Sequence, residues 1–204
     1  MQTNEKGNTT LHLASSKDSK NIAENLLKLE NVVCKNKMKP DPRLNLLHSF
    51  VNAQAKDGMT ALHIAVKHNR IEIVKLLLSS GASYNINNKE GKYPVDLSTD
   101  TDIITLFGFI QELFNDATYG KAEIIDKLQN LDNNEFDIVS NVCTKQRYTL
   151  EDILKCNEYK SILSEFSKIK AIKGSQRLKA PVKLGTTEDS EDSDLEDLGF
   201  GLFD

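Results

Sequence analysis

Apolar residues between Lys56 and Asn88 recur at helical rather than strand spacing. Leu62, Ala65 and Val66 share one face of a first short helix, and Ile71, Val74, Leu77 and Leu78 line one face of a second. Asp57-Gly58, just ahead, has the composition of a turn, and Gly58 is free to take positive φ. Thr60 is placed to cap the first helix. The small Ala65 lets a neighbouring helix come close, and Gly81 stops the second helix in the left-handed C-terminal position. Two helices this short cannot bury their apolar faces alone, so the unit predicts similar units above and below it.

Such units are present. One opens at Lys6-Gly7-Asn8-Thr9-Thr10-Leu11-His12-Leu13-Ala14, and another at Lys89-Glu90-Gly91-Lys92-Tyr93-Pro94-Val95-Asp96-Leu97 with a short second helix near Asp102–Phe109. Gly58 and Gly91 are 33 residues apart, whereas Gly7 and Gly58 are 51 apart. The excess falls in an insertion over residues 31–50, a polar loop closed by Pro40 and Pro42, with Leu44–Phe50 reading as a short extra helical turn. Weaker copies follow. Gln111–Gln129 reads as helix, turn at Tyr119-Gly120, helix. Arg147–Phe166 carries Leu150, Ile153, Ile162 and Leu163, with Gln146 at the turn glycine position.

The order G-x-T-x-L-H-x-A followed by E-I-V-K-L-L-L-x-x-G-A, carried by Gly58, Thr60, Leu62, His63, Ala65 and Gly81, resembles the ankyrin repeat. The 33-residue step is the expected repeat length. The resemblance implies an all-α ankyrin-repeat solenoid of about five helix-turn-helix units over residues 1–172, the last a cap. It also implies that His12 and His63 brace their turns by hydrogen bonding and that the stack binds a protein partner, whose identity the sequence leaves open.

Past Ile172 the apolar period stops. Residues 173–187 mix Gly, Ser, Pro and Lys and read as a flexible basic linker, with a weak phosphate contact, for instance to ribosomal RNA, as its minor alternative. Residues 188–204 read as a disordered acidic tail. The segment 186–204 holds eight carboxylates and no Lys or Arg, which leaves 26 basic against 22 acidic residues elsewhere. Five large apolar residues sit among those acids: Leu195, Leu198, Phe200, Leu202 and Phe203. Leu195, Leu198, Leu202 and Phe203 would form one stripe if the segment coiled on a partner. Gly199 and Gly201 resist a free helix and equally permit an extended bound form.

The ending S-D-L-E-D-L-G-F-G-L-F-D is similar to the C-terminal tail of the eukaryotic acidic ribosomal stalk proteins. Gly199, Phe200, Gly201, Leu202, Phe203 and Asp204 match that ending residue for residue, and Leu198 stands where Met is usual. Leu195 interrupts what is usually a purer acidic run. In that family the tail recruits translational GTPases, chiefly elongation factors. The resemblance therefore implies an adaptor or decoy that presents the same ligand on a different scaffold, with the ribosome as a further candidate partner. Glu191, Asp192, Asp194, Glu196 and Asp197 would steer encounter with a basic surface, and Ser193 fits an acid-directed kinase as well as it fits an unmodified serine. Two other readings stand beside this one: an ankyrin protein with an incidental tail, and an escort for a basic ribosomal or translation protein.

Little else suggests chemistry. Cys34, Cys143 and Cys156 form no metal-binding or disulfide pattern, and His48 and His68 lack partners at ligand spacing. No Ser/His/Asp or Cys/His order and no phosphate-binding glycine loop is legible. The expectation is a non-enzymatic monomer without cofactor or metal, with no signal peptide or membrane span. It should reside in the cytoplasm, or in the host cytosol if the protein is a secreted effector.

Overall fold

In the computed structural model the chain is described over residues 3–36 and 46–179. Ten α-helices and one 3-10 turn make up this region: α1 (Thr10–Ser16), α2 (Lys20–Asn36), α3 (Leu46–Val51), α4 (Ala61–Lys67), α5 (Ile71–Ser79), the 3-10 turn Pro94–Leu97, α6 (Thr101–Tyr119), α7 (Glu123–Gln129), α8 (Asn133–Asn141), α9 (Leu150–Cys156) and α10 (Lys160–Lys179). Among the described residues the only β feature is an isolated parallel bridge between Ser83 and Cys143.

Two backbone devices mark out the repeats. The first is a turn of one design built four times. Gly7 donates to the Asn4 carbonyl (2.8 Å), Gly58 to Ala55 (2.9 Å), Gly91 to Asn88 (3.1 Å) and Arg147 to Thr144 (2.9 Å). All four donors have positive φ. The sequence reading put Gln146 at the glycine position of the last turn; the structure puts Arg147 there, because Thr149 caps α9 and fixes the count. Neighbouring turns are joined by Lys56 N–H to Lys6 O and Lys89 N–H to Asp57 O, both 3.0 Å. A Cβ on Gly58 would lie 2.7 Å from the Lys89 nitrogen, so this approach requires glycine.

The second device joins the helices of a pair. Asp18, Asn69, Gly120 and Glu158 take left-handed φ of 56, 53, 64 and 58°. In each case the next residue donates back to the helix just ended: Ser19 to Ala14, Arg70 to Ala65, Lys121 to Asp116 and Tyr159 to Leu154. These are helix-terminating bonds that satisfy otherwise orphaned carbonyls.

The pairs stack as the apolar pattern requires. α1 packs on α4 and α4 on the 3-10 turn, while α2 packs on α5. Leu11, Leu62, Ala65, Ile73, Leu77 and Leu78 are fully buried between them. The middle of the chain departs from the expected plan. A second helix near 102–109 and a separate first helix from 111 are instead one continuous helix, α6. No glycine turn interrupts the run, and Ile103, Phe107, Ile110, Leu113, Phe114 and Ala117 make an unbroken buried stripe. Asp100 caps its start and Gly120 ends it.

α8, which the sequence reading did not identify, packs on α5, and α9 then packs on α6. α10 closes the stack through Phe166, fully buried with its ring 6.0 Å from that of Phe136. It continues through residues 173–179, which the sequence reading assigns to a linker. Lys, Gln, Arg and Leu favour helix enough there to carry the single Gly174. The polar part of the insertion, residues 37–45, and the rest of the linker and the tail, residues 180–204, lie outside the described residues.

Candidate interaction surface

The first helices α1 and α4 are each anchored by a threonine and an imidazole. Thr60 N–H donates to His63 Nδ1 (3.1 Å), and the Thr60 hydroxyl lies 2.8 Å from the same nitrogen. Because Nδ1 accepts, Nε2 carries the proton and donates to the Lys92 carbonyl of the next turn at 3.3 Å. Thr9, His12 and the Met59 carbonyl repeat this geometry at 3.2, 2.8 and 3.1 Å. Both rings are almost wholly buried. Burial holds both below the ordinary imidazole pKa, with partial opposition from the carbonyl each one faces. A neutral histidine thus ties the caps of α1 and α4 to the turn of the following repeat.

This bracing fixes one face of the stack. Four residues after the caps Thr9, Thr60 and Tyr93 stand Leu13, Ile64 and Leu97, all apolar and all partly or largely accessible. Leu13 is 43% exposed and Tyr93 46%. Lys17 and Lys67 follow on the same helical face, and Lys6, Lys56 and Lys89 project from the turns. None of these five lysines has an ion-pair partner among the described residues. Several adjacent acids are engaged already. Asp57 accepts from Met59 N–H, Asp96 from Tyr93 N–H, Glu90 pairs with Lys92, and Asp18 with Arg70. Glu5 is the exception. The result is an apolar ladder with a basic margin. Sequence reading did not single it out, because the accessibility of these three positions is set by how the repeats pack.

On another side, a groove of about 690 Å³ opens between α2, α3, α5 and the α8–α9 turn. Leu27, Leu76, His48, Cys143 and Arg147 line it. Here the structure brings together a cysteine and a histidine for which no sequence order was legible. Cys143 Sγ lies 3.3 Å from His48 Nε2, 3.2 Å from Ser83 Oγ, and donates to the Gly81 carbonyl at 3.3 Å. Nothing in the sequence signals the pairing, since the residues are 95 positions apart. Burial pushes the thiol pKa up, and burial followed by the Arg147 charge pushes that of His48 down. A protonated thiol beside a neutral imidazole is a hydrogen-bonded knot that ties α3 to the stack, not an activated nucleophile. Asp152, also at the groove, is committed to capping α9 through Thr149. Among the described residues no three His, Cys, Asp or Glu side chains cluster as metal ligands. No helix there is long and apolar enough to cross a membrane.

Comparison with known proteins agrees with this geometry. Residues 1–88 match the family model described as ankyrin repeats (3 copies). The NF-kappa-B inhibitor zeta of Homo sapiens is 32% identical over 98 residues, 46% of this chain and 12% of that protein. A putative ankyrin repeat protein, FPV222, of fowlpox virus is 31% identical over 101 residues, 46% of this chain and 14% of that protein. The alpha-latrocrustotoxin-Lt1a of Latrodectus tredecimguttatus is 31% identical over 77 residues, 38% of this chain and 5% of the toxin. The chain therefore spans a small fraction of the relatives it matches. Residues 1–88 thus carry ankyrin repeats, and the described residues together form an all-helical stack of helix pairs. The tail residues Leu195, Leu198, Gly199, Phe200, Gly201, Leu202, Phe203 and Asp204, the steering carboxylates and Ser193 lie outside the described residues.

Proposed function

We propose that this chain is a non-enzymatic adaptor or decoy. Its ankyrin stack holds one protein, and residues 188–204 offer a stalk-like peptide to a translational GTPase, an elongation factor above all. The observation that carries this is the residue-for-residue identity of Gly199–Asp204 with the stalk ending, behind an acidic run. The energetics fit a weak, tethered ligand. Burying Leu198, Phe200, Leu202 and Phe203 at ~1.5–3 kcal/mol each offers roughly 6–12 kcal/mol gross. Ordering the segment returns about 2–5 kcal/mol, and association costs more. Micromolar or weaker affinity follows, and tethering to a stack engaged on the same assembly offsets that weakness.

The test is a pull-down from eukaryotic cytosol with the full chain and with Leu202→Ala/Phe203→Ala. Elongation factors retained by the first and lost from the second support the reading. Equal recovery on both, or none on either, rejects it and leaves an interaction protein whose tail is incidental. Scrambling residues 188–204 at constant charge separates the escort reading, because an escort survives the scramble and a stalk mimic does not.

A further inference from the structure

The stack carries its own match for its tail. Leu13, Ile64 and Leu97 form an accessible apolar ladder across α1, α4 and the 3-10 turn, and five lysines with no ion-pair partner among the described residues border it. A ligand for such a face needs apolar side chains spaced among carboxylates. Residues 188–204 have that composition, with Leu195, Leu198, Phe200, Leu202 and Phe203 set among acids.

We propose that this face is a docking surface for residues 191–204 of the same chain, which holds the acidic tail on the stack until a competing protein draws it away. The route is open. α10 starts beside the end of α6, where Tyr159 Oη donates to Thr118 O (3.2 Å), and runs past the end of α7, where Lys173 Nζ donates to Leu131 O (2.6 Å). It thus runs alongside α7 and in the same direction. From Lys179 to Leu198 an extended chain reaches about 65 Å. Packed helices lie about 10 Å apart, so that length spans several repeats. Docking within one chain needs little intrinsic affinity, because the tether supplies a high local concentration. Salt weakens the charged part of the contact while leaving the apolar part.

This inference does not depend on which protein the tail meets in a cell, and its test uses no partner. The full chain is coupled with a zero-length carbodiimide at low ionic strength, and the monomer fraction is mapped by mass spectrometry. The expected result is amide links from Glu191, Asp192, Asp194, Glu196 or Asp197 to Lys17, Lys67 or Lys89. Their yield should fall at least about tenfold, the equivalent of about 1.4 kcal/mol, in Leu198→Ala/Phe200→Ala/Leu202→Ala/Phe203→Ala. Leu13→Glu, at an exposed position, should lower the same links while leaving the helical circular dichroism unchanged. Links confined to covalent dimers would assign the face to a second copy and overturn the proposal. Equal yield in the quadruple variant would reduce it to loose charge attraction, and absence of these links would also overturn it. A tail that binds elongation factors yet gives no such links refutes docking and spares the proposed function; the reverse outcome does the opposite.

Discussion

His63 Nε2 donates to the Lys92 carbonyl across 29 residues of sequence, at 3.3 Å, while its other nitrogen accepts from Thr60 of its own repeat. One ring thus couples a helix cap to the turn of the next repeat. His63→Ala leaves a buried cavity and an uncapped Thr60 N–H, while the Lys92 carbonyl keeps only its bond from Asn88 N–H at 2.9 Å. Loss of about 1–3 kcal/mol is expected, from the cost of stranded buried polar groups. Urea unfolding followed by circular dichroism should show a lower midpoint, and an unchanged midpoint would mean the bridge carries no net stability.

The same rings set a pH dependence. His12, His63 and His48 are all held below the ordinary value of 6.5, chiefly by burial. The unfolded chain therefore binds protons on these residues at a higher pH than the folded chain does. Below about pH 6.5 the unfolded state holds more protons, so their contribution is complete above that pH and is lost as pH falls below it. Midpoints at pH 7.5 and pH 5.5 should differ, with the acidic sample less stable. A His12→Gln/His63→Gln variant should show a smaller difference, and an undiminished one would assign the effect elsewhere.

Two positions of one turn design should respond in opposite directions. Gly58 sits at φ 80° with the Lys89 nitrogen 2.7 Å from a built Cβ, so Gly58→Ala meets both left-handed strain and a backbone clash. It should cost at least about 1–2 kcal/mol. Arg147 occupies the equivalent place at φ 71°. Arg147→Gly relieves that strain and returns part of the gain as unfolded-state entropy, for a net stabilisation of up to about 1 kcal/mol. Thermal midpoints of the two variants against the parent decide the matter.

Cys143 and Cys156 should differ in reactivity. Cys143 is buried, its thiol pKa is raised by burial, and it is hydrogen bonded. Cys156 is exposed. Iodoacetamide in native buffer should alkylate Cys156 and leave Cys143 unmodified until denaturant is added. Rapid native labelling of Cys143, read by peptide mass spectrometry, would show that the His48 knot opens readily.

These tests divide along the line between what the chain spells out and what only its packing reveals. The unit from Gly58 to Gly81 was legible because each residue does a local job: a turn, a cap, a stripe, a stop. The same local logic failed at α6. Repeat-by-repeat reading expects a turn near Ile110, whereas a continuous apolar stripe extends one helix, with Gly108 in helical conformation. α8 was unread although Asp132 and Glu135 form a capping box ahead of Phe136 and Val139 at helical spacing, because no repeat unit calls for a helix there; it packs on α5. At Arg147, the register of the turn follows from the Thr149 cap and not from residue type. The meeting of Cys143 with His48 depends on where the insertion and α8 both land, which no local pattern encodes.

Asp116 illustrates how such placement creates a charge site inside the fold. Its side chain is 3% exposed and its carboxylate meets Lys127 Nζ at 2.5 Å and Lys121 Nζ at 3.0 Å. The Lys127 hydrogen bond, above all, holds its pKa below the ordinary carboxylate value against the opposing effect of burial. The left-handed Gly120 makes this possible by turning the chain so that Lys121 N–H returns to the Asp116 carbonyl. Asp116→Asn keeps the shape and removes the charge, stranding two ammonium groups beside a neutral amide. Both lysines retain access to water and Lys127 keeps Glu112 at 2.6 Å, so the loss should be about 1.5–3 kcal/mol rather than that of a fully buried broken pair. The sign with pH follows from the depressed pKa: Asp116 stabilises fully above its unfolded value of 3.8 and loses that contribution as pH falls below it. The variant's deficit in urea should therefore be constant from pH 7 to pH 5 and shrink below pH 4. A deficit that persists undiminished at pH 3 would assign the role of Asp116 to packing instead of charge.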